Sequence, residues 1–174
     1  MEPIQKVLRL LEERGFSLNS ADAIELFGRK GDWHTKYYVD RVSTLEVWEI
    51  NPDFLADLKI NLPMAKIKIT DSFKEIKKTS SKYNLIIIDN PQSVYGGGKY
   101  CEHFELFPHI FRIAKGPCVI ILNVNIQPYN FHKGLVWWER RKIFYHTDDP
   151  EKLSFKHVEA HYAEICKVNG FYLK

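Results

Sequence analysis

Four acidic residues recur just where apolar runs of the chain give out. Glu25 precedes Leu26-Phe27-Gly28-Arg29-Lys30-Gly31, and Glu49 closes the run Thr44 to Ile50. Asp71 follows AKIKIT, and Asp89 opens Asp89-Asn90-Pro91 after YNLIII. A carboxylate can accept two hydrogen bonds from a pair of hydroxyls and favours a nearby cation. Gly28 and Gly31 let a backbone approach a ligand where a Cβ would collide. Phe27 and Trp33 offer aromatic faces to a positive centre. One acid at the end of a strand is ordinarily a helix cap. Four at similar intervals are hard to assign to capping alone.

The other residues that could carry chemistry are more scattered. Cys101, Cys118 and Cys166 lie far apart and in an odd number, without paired zinc spacing, so they read as free thiols of a reducing, cytoplasmic compartment. Cys101 and His103 have no further ligand nearby and read as incidental polarity at a helix start. His157 and His161 stand four residues apart, but the motif is not His-Glu-x-x-His, and they read as surface histidines. No metal site is expected.

The elements that must position the four acids follow from periodicity. Residues 3 to 15 form an amphipathic helix ending at Gly15, its charges excluding a signal peptide. Strands are expected at 22–27, 44–50, 65–70, 83–89 and 117–124, the last two continuously apolar and buried on both faces. Helices are expected at 33–42, 52–62, from Asp71 or Ser72 to about 78, and at 102–115 with Phe104, Phe107, Ile110 and Phe111 inward. Strand and helix alternate at a period near 20 residues. That rhythm predicts an α/β doubly wound fold, a mostly parallel sheet with right-handed crossovers. Ligands of such sheets bind beyond the carboxyl ends of the strands, where the four acids fall.

A length of 174 residues suits one domain, and 45% hydrophobic with 14% aromatic residues excludes a disordered chain. The domain is expected to span residues 1–174, with residues 1–20 as an N-terminal helix and 127–150 as an aromatic and basic insertion. A formal charge of +3 permits nucleic acid without arguing for it. No apolar run reaches 18 residues, so no membrane partner is expected. Within the insertion, Trp137, Trp138, Arg140 and Arg141 could clamp an acceptor, pack as an amphipathic helix over the sheet edge, or form an oligomer contact. The Gly96-Gly97-Gly98 loop reads equally as a substrate lid or as a disordered loop.

Taken together, ELFGRKG, the strand-end acids and DNPQ resemble the class I S-adenosylmethionine-dependent methyltransferases over residues 20 to 126. The resemblance implies a compact, divergent member with a Rossmann-like three-layer sandwich, sheet order 3-2-1-4-5 and a reduced C-terminal edge. It implies that S-adenosylmethionine is held by Glu25, Phe27, Gly28, Gly31, Glu49 and Asp71, with Glu49 on the ribose hydroxyls and Asp71 near adenine. It implies that Asp89, Asn90 and Pro91 face a methyl acceptor, small molecule or nucleic acid. The loop departs from Glu-x-Gly-x-Gly-x-Gly by placing Arg29 and Lys30 between its glycines, and DNPQ lacks a second proline and an aromatic. An acid after the second strand also suits the ribose of NAD, although Gly-x-Gly-x-x-Gly is absent. A domain that kept the fold and lost the chemistry is the remaining alternative.

Overall fold

The structure, a computed structural model, describes residues 2–126 and 134–172. They divide into two compact units. One comprises residues 2–89 and 112–122; the other comprises residues 90–111 and the described residues from 123 onward.

The first unit is built on a five-stranded parallel sheet. Its strands are β1 (Asp22–Glu25), β2 (Thr44–Glu49), β3 (Lys66–Ile69), β4 (Tyr83–Ile88) and, after the excursion into the second unit, β7 (Ala114–Leu122). The order is β3-β2-β1-β4-β7, so the first strand lies centrally and the chain reverses direction of travel beside it. Counted within this sheet, that is the expected 3-2-1-4-5, and no strand follows β7 among the described residues. Helices α1 (Pro3–Glu13) and α2 (Leu55–Asn61) contribute Ile4, Leu8 and Leu58, and the α2 cap residue Leu62 adds to them, in a core with Ala23, Leu45, Val47, Leu85 and Ile87. The alternate residues Ile24, Trp48, Ile86 and Ile88 are also fully buried, so the central strands are covered on both faces. Strand β3 is an edge, and its Lys66 and Lys68 pair with Glu46 and Glu75. Charged lysines suit a sheet edge, where they discourage pairing with another chain.

Three local expectations need correction. Residues 33–42 form only a single 3₁₀ turn, Thr35–Tyr37. Thr35 and Tyr38 both aim their hydroxyls at buried Glu25, which holds the segment as an inward-drawn loop. Residues 102–115 are not an α-helix either; a 3₁₀ stretch, Phe107–Arg112, is all that forms. Pro108 lacks an N–H and disfavours helical geometry at the residue before it. Phe104, Phe107 and Ile110 are nonetheless buried as expected, whereas Phe111 is half-buried. Finally, β7 is an edge strand with no fully buried residue, so its apolar run overstates its burial.

In the second unit a two-stranded hairpin, β5 (Val94–Tyr95) with β6 (Tyr100–Cys101), carries Gly96, Gly97 and Gly98 at its tip, all at positive φ. Helices α4 (Leu135–Tyr145) and α5 (Phe155–Val168) complete it. Arg140 on α4 holds the hairpin tip, donating to the Gly98 and Lys99 carbonyls at 2.9 Å each and to Glu105. The tip is therefore tied to α4. Residues 127–133 of the aromatic segment lie outside the described residues.

Candidate functional site

Strand register alone brings three of the predicted acids onto one face. Glu25 lies opposite Val47 of β2 and Ile87 of β4, so Glu49 and Asp89 follow two residues later on the same side of the sheet. Ile69 is opposite Glu49, and Asp71 lies two residues beyond it. The acids thus form a rising row at the carboxyl edge, each with a different local employment.

Glu25 is almost completely buried, at 1% exposure. Thr35 Oγ1 donates to its Oε2 at 2.8 Å, and the Tyr38 hydroxyl donates to the same oxygen. Burial pushes its carboxyl up to about 7; the two hydroxyl bonds oppose that shift and the nearby Asp89 charge adds to it. The Tyr38 phenol is raised in turn by burial and by Glu25.

Glu49 anchors the loop between β1 and the 3₁₀ turn. Its Oε2 accepts the Arg29 N–H at 2.7 Å, and its Oε1 accepts the Asn51 N–H at 2.7 Å. Arg29 is held at φ 48, in a region that few side-chain-bearing residues adopt, and the Gly31 N–H closes the turn on the Gly28 carbonyl at 2.9 Å. Both glycines answer to the protein's own packing. A Cβ on Gly28 would lie 2.2 Å from Val47 Cγ1, and one on Gly31 2.6 Å from Leu62 Cδ1. Lys30 is drawn to α2, where its Nζ pairs with Asp57 at 3.2 Å and its carbonyl accepts from Asn61. Phe27 sits with its ring centroid 5.9 Å from that of Phe73.

Asp71 caps α3 (Ser72–Glu75), accepting the Phe73 N–H at 3.0 Å, while Ser72 Oγ donates to the Leu26 carbonyl. Asp89 accepts from His34 Nδ1 at 2.8 Å, both side chains about a fifth to a quarter exposed. The residues after it belong to the second unit. Asn90 is buried, its Nδ2 donating to the Pro91 carbonyl at 3.1 Å and its Oδ1 enclosed without a partner; Pro91 is exposed. An open cavity of about 300 Å³, small for a ligand site, is lined by Glu2, Arg29, Asp32, Trp33, Lys36 and Tyr37.

Sequence reasoning missed His34, Thr35 and Tyr38. The one available signal was the three-residue spacing of Thr35 and Tyr38, which a helical reading of 33–42 treated as periodicity rather than as two hydroxyls for one carboxylate. It also missed the polar core of the second unit. Glu102, His103 and Arg141 have no exposure there. Arg141 pairs with Glu102 at 3.2 Å, Trp137 Nε1 donates to the same carboxylate at 2.9 Å, and His103 Nε2 meets the Tyr162 hydroxyl. His161, expected at the surface, packs against Phe144 and Tyr145, and burial holds its imidazole down to about 4.

No family model matches the sequence, and no curated protein matches it. Solved structures do. Precorrin 8w decarboxylase of Methanobacterium thermoautotrophicum is 17% identical, over 69% of this chain and 60% of that one, with a TM-score of 0.52. This likeness and the strand order agree. The fold is Rossmann-like, a parallel sheet flanked by helices. A tRNA m1G37 methyltransferase of M. jannaschii is 18% identical over 69% of this chain and 36% of that one, TM-score 0.47. Coclaurine N-methyltransferase, in a structure with N-methylheliamine and SAH, is 13% identical over 67% and 34%, TM-score 0.48. The chain spans about a third of the length of these two methyltransferases.

Proposed function

We propose that the chain is an S-adenosylmethionine-dependent methyltransferase acting on an acceptor still to be identified. The observation that carries the reading is the row of acids at the carboxyl edge, Glu25, Glu49 and Asp89 on one face beside the strand-order switch. The methyltransferases among its structural neighbours are in keeping with it.

The residues present fit the cofactor best at Glu49. An ionised carboxylate offers about four acceptor positions, and two are taken here by the Arg29 and Asn51 amides. The remaining two suit the ribose hydroxyls. Asp71, already a helix cap, lies near the adenine in this reading; Phe27, Gly28 and Gly31 shape the wall through the packing that fixes their turn. Glu25 acts from behind, as a carboxyl whose proton count changes near neutrality. When bound, the cofactor supplies an electrophilic methyl group. Asp89, with Asn90 and Pro91 next along the chain, serves the acceptor side. Methyl transfer is a displacement, so most of the chain's contribution is holding the partners in line.

Thermal unfolding with S-adenosylmethionine, S-adenosylhomocysteine and NAD tests the reading, since a ligand that binds the folded state raises the midpoint by mass action. A rise with the first two and none with NAD is the expected result. A rise with NAD alone would replace it with the dinucleotide reading, and no rise with any of them with a domain that kept only the fold.

A further inference from the structure

Glu25 is the acid of the carboxyl edge most nearly cut off from water, at 1% exposure, and no cation among the described residues pairs with it. Its fellows are employed otherwise. Asp89 meets His34 Nδ1 at 2.8 Å, Asp71 pairs with Lys74 at 3.5 Å, and Glu49 accepts two backbone amides. Both hydrogen bonds to Glu25 fall on Oε2, from Thr35 Oγ1 at 2.8 Å and from the Tyr38 hydroxyl. Oε1 takes no hydrogen bond from the described residues, yet it is not one of the sealed polar atoms, so the carboxyl's residual exposure includes it.

The charged neighbours of Glu25 are of its own sign. Glu49 and Asp89 each stand two residues past the residue opposite Glu25, on β2 and β4, and Asp89 raises its carboxyl. From the loop side it is faced by Thr35 and by Tyr38, whose phenol is itself raised, while His34 is turned to Asp89. A desolvated carboxyl with like charges beside it and hydroxyls for partners is more stable holding its proton. Burial carries its pKa to about 7, so at pH 6 about nine in ten of these carboxyls are neutral.

We infer that Glu25 senses the charge on the cofactor's sulfur, neutral when the site is empty or holds the demethylated product and ionised when a methyl sulfonium is bound, and so selects donor over product. This rests on the methyltransferase reading and adds the residue that tells the two cofactor forms apart. With the ribose hydroxyls on Glu49, the sulfur lies only a few bonds from that diol. Glu25 stands one strand across and two residues back from Glu49, about 8 Å between Cα positions. A positive charge at that range, with protein rather than water around the acid, favours the ionised carboxylate. Because Oε2 accepts both hydroxyls, the proton sits on Oε1, the oxygen that still reaches solvent, and it passes to solvent when the cation is bound. Thr35 and Tyr38 keep their bonds to Oε2 in both states, so ionisation needs no rearrangement of the loop. A neutral thioether exerts no such pull. Glu25 then regains its proton, and the product is held without the added attraction.

Calorimetry in two buffers of different ionisation heat counts the protons exchanged on binding. At pH 6, where an α-amino group is fully protonated in either ligand, S-adenosylmethionine should release about 0.9 proton from the wild-type chain and S-adenosylhomocysteine about none. Between pH 5 and pH 6 the affinity for the first should rise nearly tenfold, while that for the second stays within about twofold. Glu25→Gln, which keeps an acceptor oxygen for both hydroxyls, should abolish the proton release and the rise with pH. Equal release with both ligands, or none with the sulfonium, would overturn the inference in the wild-type chain alone, whether or not the variant folds. Release that persists in a folded variant assigns the proton to another group and overturns it as well. Binding of both ligands without proton exchange defeats this inference and leaves the cofactor reading standing; binding of neither defeats both.

Discussion

Among the described residues, Glu25 and Glu102 are the most completely enclosed carboxyl groups, at 1% and 0% exposure, and their partners set them apart. Glu102, in the second unit, lies against the Arg141 guanidinium and the Trp137 indole, with Arg141 stacked 4.6 Å from the Trp137 ring and donating to the Asn125 carbonyl. Burial raises its carboxyl, and a full positive charge in contact opposes the rise. Glu25, in the first unit, is equally enclosed, but its partners are two neutral hydroxyls, and the nearest charge of consequence is another carboxylate, Asp89. A buried acid with a guanidinium serves to hold helix to turn. A buried acid with hydroxyls exchanges its proton near pH 7, and it lies at the edge where the fold places ligands. The difference separates polarity that stabilises from polarity that can act.

The largest effect should come from breaking the fixed pair. Arg141→Met leaves Glu102 buried without its cation, and should lower stability by about 3–5 kcal/mol, read by urea unfolding. Loss below about 1 kcal/mol would mean that Glu102 behaves as a solvated surface acid.

Glu25 should reveal itself through pH. Its folded value, about 7, lies above the ordinary 4.5, so the folded chain holds more protons than the unfolded one between these values. The stability it contributes is fully present below pH 4.5 and is lost as pH rises through 7, a change on the order of 3 kcal/mol. Glu25→Gln should remove that slope. Denaturation of both proteins at pH 5 and pH 8 measures it, and equal slopes would contradict the protonation of Glu25 on folding.

A smaller effect separates packing from ligand approach at the glycine loop. Gly28→Ala places a Cβ 2.2 Å from Val47 Cγ1, and overpacking of this kind costs about 1–3 kcal/mol. That loss should be present in the ligand-free protein. A variant with unchanged unfolding but lost cofactor binding would assign the glycine to the ligand instead.

Much of this fold was legible because its strands are uniform in kind. YNLIII and DAIELF announce buried parallel strands, Asn51-Pro52 and Asp71 announce helix starts, the alternation announces a parallel sheet, and its order came from the resemblance. The failures share a cause. Thr35, Tyr38, Glu102 and Arg141 are polar residues that the fold takes inside because each has a partner distant in sequence, and hydrophobic periodicity carries no information about such pairs. At residues 102–115 the pattern of apolar residues was read correctly as burial, at Phe104 and Phe107, but wrongly as helix, and residues 33–42 were likewise wrongly read as helix. The strand-end acids were found by position, while the His34–Asp89 contact required the loop's path.

The cofactor assignment is tested most directly by calorimetric titration of S-adenosylmethionine into the wild-type chain and into Glu49→Ala, with unfolding of the variant followed alongside because the Arg29 and Asn51 amides lose their acceptor. The account predicts saturable binding by the wild type, weakened in the variant by about 1.5–3 kcal/mol, the range for a hydrogen bond to a charged group. Equal affinity in a folded variant, or no binding by the wild type, would contradict it.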